Sequence, residues 1–263
     1  MEILYAALVV GGVGLIIGIM LTVSGKFLAV PVDEKEIAIR EALPGNNCGG
    51  CGFAGCDALA ESIAKGESAP NACPVGGAEC AKKIGEIVGI EAEAVKYVAY
   101  VKCAGDCDAA KQKYNYVGNE DCNDASNIPG GGAKACGYGC LGLGSCVKAC
   151  EFDAIHVING KAVVDKEKCV ACKKCIAACP KKLIELIPYS AKYVVKCSSK
   201  DRGLDVKKAC SNGCIGCGLC SKNCEYGAIE FVNNIAHIDQ SKCESCGTCM
   251  EKCPVKAIVK LHE

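Results

Sequence analysis

Cys169-Val-Ala-Cys172-Lys-Lys-Cys175-Ile-Ala-Ala-Cys179-Pro180 carries the chemistry of this chain, and its spacing returns at Cys243, Cys246, Cys249, Cys253 and Pro254. In a Cys-x2-Cys-x2-Cys-x3-Cys-Pro run, three neighbouring thiolates grip one [4Fe–4S] cluster and the fourth ligates a second cluster. The chemistry that follows is one-electron transfer, with the protein setting potential, spacing and access. Zinc is the alternative for clustered cysteines, and it more often sits between two Cys-x2-Cys arms. The paired triplets and their proline-followed fourth thiolates favour cubanes.

Each run has a cysteine-rich partner upstream. Lys134-Ala-Cys136-x2-Gly139-Cys140-Leu-Gly-Leu-Gly-Ser-Cys146-x3-Cys150 aligns with Lys208-Ala-Cys210-x2-Gly213-Cys214-Ile-Gly-Cys217-Gly-Leu-Cys220-x3-Cys224. With the crossing of fourth ligands, the second unit gives Cys214, Cys217, Cys220 with Cys253, and Cys243, Cys246, Cys249 with Cys224. The first unit gives Cys169, Cys172, Cys175 with Cys150. Its other set departs from the frame, because Leu143 stands where Cys217 stands in the repeat. Cys136, four residues before Cys140, is the nearest substitute, so the expected set is Cys136, Cys140, Cys146 with Cys179. Upstream, Cys48-x2-Cys51-x4-Cys56 and the proline-followed Cys73 suit one further cubane, with Gly49, Gly50 and Gly52 letting the backbone wrap closely. Five [4Fe–4S] clusters use 20 of the 26 cysteines. Cys80, Cys103, Cys107, Cys122, Cys197 and Cys210 are left over; they permit a sixth cluster or serve as small buried hydrophobes.

Short elements must position these thiols. Ala154–Asn159 and Lys161–Asp165 flank Asn159-Gly160, a two-residue hairpin turn, and Glu230–Asn233 with Ile235–Asp239 repeat the pattern around Asn233-Asn234. A cysteine loop, a short helix and a small strand per half make an α+β arrangement. The repeat reaches further back, since Val101-Lys102-Cys103 and Val195-Lys196-Cys197 precede the two units. Apolar spacing at Ile84, Ile87, Val88, Val95 and Val98 predicts a helix over 81–102. His156 and His237 fall on strands and read as exposed residues, since thiolates already suffice as ligands.

With 26 cysteines, no Trp and four Phe in 263 residues, much of the cohesion must come from clusters rather than from an apolar core. Nothing resembles a cleaved secretory leader, so the cysteines read as metal ligands in a reducing compartment. Net charge is zero but divided. Residues 1–132 hold 10 Lys+Arg and 17 Asp+Glu, a net of −7, and residues 133–263 hold 20 and 13, a net of +7. The basic half is either a solvated lysine face or a docking surface for an acidic protein such as a soluble ferredoxin. No dinucleotide fingerprint, phosphate loop or hydrolytic triad is present, and nothing points to nucleic acid.

Ile3–Val23 is 21 residues without a charge, long enough to cross a hydrocarbon core of about 30 Å. Lys26 on its C-terminal side places everything downstream in the cytoplasm. An uncleaved, single-pass anchor in the inner or plasma membrane is expected. Gly14 and Gly18 form a small-xxx-small pair suited to a neighbouring membrane helix.

One uncharged N-terminal helix, then Cys48-x2-Cys51-x4-Cys56-x16-Cys73, then repeats containing Gly139-Cys140-Leu-Gly-Leu-Gly-Ser-Cys146, resembles the B subunits of Rnf complexes over essentially the whole chain. The resemblance implies an electron-transfer subunit of a membrane ferredoxin:NAD oxidoreductase coupled to Na+ or H+ translocation. It would take electrons from reduced ferredoxin and pass them to membrane and peripheral partner subunits, which carry the flavins, the nicotinamide site and the ion path. An iron–sulfur relay of a hydrogenase or dehydrogenase, and a non-redox metal-binding scaffold, are the other readings. The expected division is a membrane anchor (1–28), a linker (29–42), the four-cysteine [4Fe–4S] module (43–80), a helical and loop connector (81–132), and two tandem two-cluster ferredoxin-like domains (133–188 and 207–263) joined by a linker (189–206).

Overall fold

The computed structural model describes residues 2–27, 33–92 and 95–261. Helix α1 (Glu2–Phe27) opens the chain. Its side chains are described for residues 11–24, where Leu15, Ile16, Met20 and Leu21 are each about two-thirds exposed. The first part of the expected span, Ile3–Val10, lies outside the described side chains. Among the described residues no helix is long and apolar enough to cross a membrane.

Three helices form the next unit: α2 (Glu34–Ala42), α3 (Cys56–Ala64) and α4 (Gly77–Val88). Asp33 caps α2 by accepting from the Lys35 N–H at 3.0 Å, satisfying one orphan donor of the first turn. Ile39, Leu59, Ile63 and Ile84 are fully buried between the three helices. Burial of side chains of this size is worth roughly 1.5–3 kcal/mol each. The unit therefore has an apolar core of its own.

The helix expected over 81–102 stops early. Gly89 ends α4 at φ +80°, with its N–H on Gly85 O, as a left-handed glycine commonly does. Tyr97–Val101 is then strand β1, with Val98, Ala99 and Val101 buried. Helical spacing and strand spacing overlap in such a short apolar run. The Tyr-Val-Ala-Tyr-Val composition decides it, because aromatic and β-branched side chains fit a half-buried pleat.

The remaining elements are small: α5 (Cys122–Ser126), α6 (Ser145–Lys148), β2 (Ile155–Ile158), β3 (Lys161–Val164), α7 (Lys174–Ala177), β4 (Ile184–Pro188), β5 (Tyr193–Val195), α8 (Gly203–Ala209), α9 (Leu219–Lys222), β6 (Ile229–Val232), β7 (Ile235–Ile238), α10 (Thr248–Glu251) and β8 (Ile258–Lys260). All strand pairs are antiparallel. β1 pairs with β4 and β5 with β8, while β2–β3 and β6–β7 are hairpins. The hairpins turn at Asn159-Gly160 and Asn233-Asn234, with φ +47°, +69°, +52° and +65°, the positive pair that a tight hairpin needs. These are the two hairpins read from the sequence, and they sit at equivalent places in two repeated α+β units.

Each hairpin tip rests on a cysteine loop. A Cβ on Gly142 (φ +78°) would lie 2.4 Å from Gly160 O, and one on Gly216 (φ +66°) would lie 2.9 Å from Asn234 O. Both positions combine a left-handed backbone with a close approach that excludes a side chain. Gly142→Ala is predicted to destabilise the first unit by roughly 1–3 kcal/mol from backbone strain alone, with the clash added. A melting profile unchanged from the parent protein would contradict this packing.

Candidate metal centres

Four loops carry the closely spaced cysteines, and they share one backbone path. Ala171 and Lys173 flank Cys172 with φ +56° and +66°; Ser245 and Gly247 flank Cys246 with φ +57° and +85°. Gly216 and Gly218 flank Cys217, and Gly142 and Gly144 flank Leu143, all at positive φ. Alternating left-handed residues curl a chain tightly and aim successive N–H groups at one anionic centre. Ala171, Lys173 and Ser245 adopt this conformation without being glycine, at a cost of roughly 1–2 kcal/mol each. The cost is met because the loop must wrap.

The remote cysteines obey a second rule. Asp153, Lys182, Gly227 and Lys256, each three residues after a remote cysteine, have positive φ. The turn brings the next N–H back onto the sulfur: Ala154 N to Cys150 Sγ at 3.4 Å, Leu183 N to Cys179 Sγ at 3.5 Å, and Ala257 N to Cys253 Sγ at 3.3 Å. Hydrogen bonds of this kind stabilise the thiolate form and tune a bound cluster.

The thiols gather in sets. Cys150, Cys169, Cys172 and Cys175, one of the expected sets, line one recess with Ala99, Phe152 and Ile155. Burial, and then Cys169, Cys172 and Cys150, push the Cys175 thiol up to about 12. In the second unit burial raises Cys220 to about 11, with Cys214 and Cys253 adding to it. Burial and then Cys243 and Cys246 raise Cys249 to about 11. Cys224 packs in the same cluster of apolar side chains, and Cys217 and Cys246 are exposed.

The remaining set of the first unit is composed differently from the expectation. Cys122, Cys140, Cys146 and Cys179 line one recess with Leu141, Ser145 and Pro180. Burial pushes Cys146 up to about 12, with Cys140, Cys122 and Cys179 contributing in that order. Cys136 lies in a different recess. Leu143 keeps the curled loop but brings no sulfur, and Cys122 arrives from α5 instead. Asp121 caps α5 by accepting from Asn123 N at 2.8 Å. Ser145 Oγ donates to Asp121 at 2.9 Å and accepts from Cys122 N at 2.7 Å. Sequence reasoning missed Cys122 because it stands 18 residues from Cys140 with no triplet around it. The one local signal was the Asp121 cap.

In the N-terminal module, Asn47 Oδ1 accepts from Cys56 N at 2.8 Å and Cys73 Sγ accepts from Gly76 N at 3.3 Å. The Cys80 thiol, and then the Gly76 and Val75 N–H groups, hold Cys73 down to about 6 against the opposing effect of burial. The shift is toward the thiolate, the form that binds metal. Cys51 and Cys73 open onto a recess shared with Tyr97, Lys173 and Leu186 of the first repeated unit. A Cβ on Gly50 would lie 3.1 Å from the Cys172 backbone. The module thus sits directly against the loop of Cys169–Cys175.

Among the described residues no three His, Cys, Asp or Glu are placed to hold a metal ion. Four thiolates on a cubane spread over four irons rather than one point. The recesses, lined by thiols and backbone N–H groups with no carboxylate among the lining residues, fit a donor set of that kind.

Comparison with known proteins agrees with this chemistry. The FeS family, an Fe-S cluster domain, matches residues 43–75. The 4Fe-4S binding domain matches residues 162–185, and the 4Fe-4S dicluster domain residues 213–257. The B subunit of the Na(+)-translocating ferredoxin:NAD(+) oxidoreductase complex of Acetobacterium woodii is 47% identical over 95% of this chain and 75% of its own length. The B subunit of the ion-translocating oxidoreductase complex of Methanosarcina acetivorans is 43% identical over 95% of both chains. The B subunit of the proton-translocating ferredoxin:NAD(+) oxidoreductase complex of Clostridium ljungdahlii is 44% identical over 94% of this chain and 88% of its own.

Proposed function

We infer the role of this chain from its family: it belongs to the B subunits of the ion-translocating ferredoxin:NAD oxidoreductase, or Rnf, complexes. It is an iron–sulfur electron-transfer subunit of such a complex, with no complete active site of its own. The observation that carries the reading is the gathering of distant cysteines into four-thiol recesses that adjoin one another.

The ligand sets we propose are Cys48, Cys51, Cys56 and Cys73; Cys150, Cys169, Cys172 and Cys175; Cys122, Cys140, Cys146 and Cys179; Cys214, Cys217, Cys220 and Cys253; and Cys224, Cys243, Cys246 and Cys249. When bound, the clusters supply one-electron chemistry. The chain supplies the thiolates, the N–H groups that set the potential, and apolar walls such as Ala99, Phe152 and Ile155 that limit water. The family-matched segments at 43–75, 162–185 and 213–257 support the division into a four-cysteine module (43–80) and two ferredoxin-like units (133–188 and 207–263).

Reduced ferredoxin is the donor in this reading, and the partners are the other subunits of the complex. The relatives' names include ferredoxin, and the basic half of the chain suits an acidic carrier. Lys173 and Lys182 are exposed beside the cysteine loops, whereas Lys174 is paired with Glu151 and Lys181 donates to Gly137 O. The uncharged residues 3–23 support a single-pass anchor in the cell membrane with the cysteine units on the cytoplasmic side. The relatives are named for Na+ in one case and protons in another. One uncharged helix provides no ion path, so the ion route belongs to partner subunits.

Two outcomes are predicted. Cys122→Ala lowers the iron content by about four per chain, and adding Leu143→Cys restores it, because Gly142 and Gly144 already hold that loop in the cluster-wrapping path. Full iron in Cys122→Ala would contradict the assignment. Anaerobic mixing with reduced ferredoxin bleaches the visible absorption of the iron-loaded protein. Lys173→Glu with Lys182→Glu slows that step by about tenfold at low salt and less at high salt. Iron-loaded protein that never bleaches would make the chain a non-redox scaffold.

A further inference from the structure

Four of the six cysteines that the five proposed sets leave over meet in one place. Cys103, Cys136, Cys197 and Cys210 line a single recess between the two repeated units. A Cβ on Gly105 would lie 3.5 Å from Cys103 Sγ and 3.4 Å from Cys210 Sγ, so these two sulfurs face one another across a glycine.

The recess follows the internal repeat. Cys103 and Cys197 end the Val-Lys-Cys segments, and Cys136 and Cys210 end the Lys-Ala-Cys segments, so each repeat contributes the same two positions. The backbone enforces the match. Lys102 N donates to Leu183 O, and Lys196 N donates to Ala257 O, both at 2.8 Å and both four residues after a proline-followed cysteine. The two Val-Lys-Cys ends are joined by Ala104 N to Lys196 O at 2.9 Å and by Ser198 Oγ to Lys102 O at 2.9 Å. Between the two Lys-Ala-Cys ends runs the segment 109–113, with Ala135 N on Lys111 O at 2.7 Å and Lys111 N on Ala209 O at 2.9 Å.

Lys102, Lys134 and Lys196 are among the residues that line the recess, and the Lys102 ammonium is paired with Glu185. Lys134 is 6% exposed, and its Nζ donates to Gly105 O and Gly160 O, both at 2.7 Å. Cys103 Sγ accepts from Cys140 N at 3.3 Å. Thiolate sulfurs that receive backbone N–H groups are the ligand environment of the other recesses.

We propose that Cys103, Cys136, Cys197 and Cys210 hold a sixth [4Fe–4S] cluster that joins the two ferredoxin-like units, two ligands coming from each. This rests on the electron-transfer reading and extends it. The recess adjoins the Cys122–Cys179 set through Cys140 N on Cys103 Sγ, and Cys197 packs in one cluster of side chains with Cys214. Outward from there, Cys146 packs in one cluster with Cys175, Gly50 of the N-terminal module lies against the Cys172 backbone, and Cys220 packs with Cys249. Six sets then form one unbroken line: 48–73, 150–175, 122–179, the joining recess, 214–253 and 224–249. An electron moves along it by oxidation of one cluster as its neighbour is reduced. Cys80 and Cys107 remain outside the line.

Native mass spectrometry of the anaerobically purified full-length protein, with iron and sulfide assay, tests this. The expected content is about 24 iron and 24 sulfide per chain. Cys197→Ala and Cys210→Ala each fall by about four of each, while Cys80→Ala and Cys107→Ala keep the full count. A parent chain with about 20 iron that is unchanged in Cys197→Ala overturns the sixth site and leaves the electron-transfer reading intact. One zinc per chain lost in Cys197→Ala overturns it as well. A chain without iron overturns the broader reading. The count on the unaltered protein decides between five and six cubanes even where a variant does not fold.

Discussion

The crossing of remote thiolates is the constraint on which the repeated units depend. Cys150 belongs to one half of its unit, yet it stands with Cys169, Cys172 and Cys175 of the other half; Cys179 returns the exchange. Hairpins of four-residue strands and helices of four residues are too short to be stable alone. The first unit buries Val98, Ile155, Leu183, Ile184 and Val194 with the thiols of Cys140, Cys146 and Cys169 among them, and the chain has no Trp. Metal–thiolate bonds in such a fold act as both core and cross-link, because binding energy becomes folding energy when the unfolded chain has no site. The helical module at 34–88 differs in its longer helices, of 9, 9 and 12 residues, which pack Ile39, Leu59, Ile63 and Ile84 together with Cys56, Cys73 and Cys80.

The same constraint explains which features could be read from the sequence. Cys169, Cys172, Cys175 and Cys150, and the pairing of Cys214 and Cys220 with Cys253, follow from spacing, because the curled loop needs ligands at fixed short intervals. Both hairpins followed from alternation around Asn-Gly and Asn-Asn. Cys122 did not, since its approach to Cys146 depends on the Asp121–Ser145 contact across a long loop. The helix expected through residue 102 gave way to β1 because Val98 and Val101 suit either period, and the decisive partner, β4, lies more than eighty residues on. The Val-Lys-Cys and Lys-Ala-Cys repeats were visible as repeats. That their four cysteines converge required the ladder through Lys111.

Function grows from this economy. Elements that would be too small for an apolar core are sufficient when each curls round a charged inorganic centre, and a chain of such elements places successive centres side by side. Backbone N–H groups donate to the sulfurs of Cys103, Cys140, Cys150, Cys179 and Cys253 and favour their thiolate forms.

The measurement that bears most directly on this account is anaerobic removal of iron from the full-length protein by a chelator, followed by limited proteolysis and circular dichroism. The account predicts that residues 97–261 lose fixed tertiary structure and become cleavable throughout, while the helices of 34–88 stay protected, and that restoring iron and sulfide reverses the change. An iron-free protein that keeps its fold and protease resistance across both repeated units would contradict the claim that thiolate–cluster bonds hold them together.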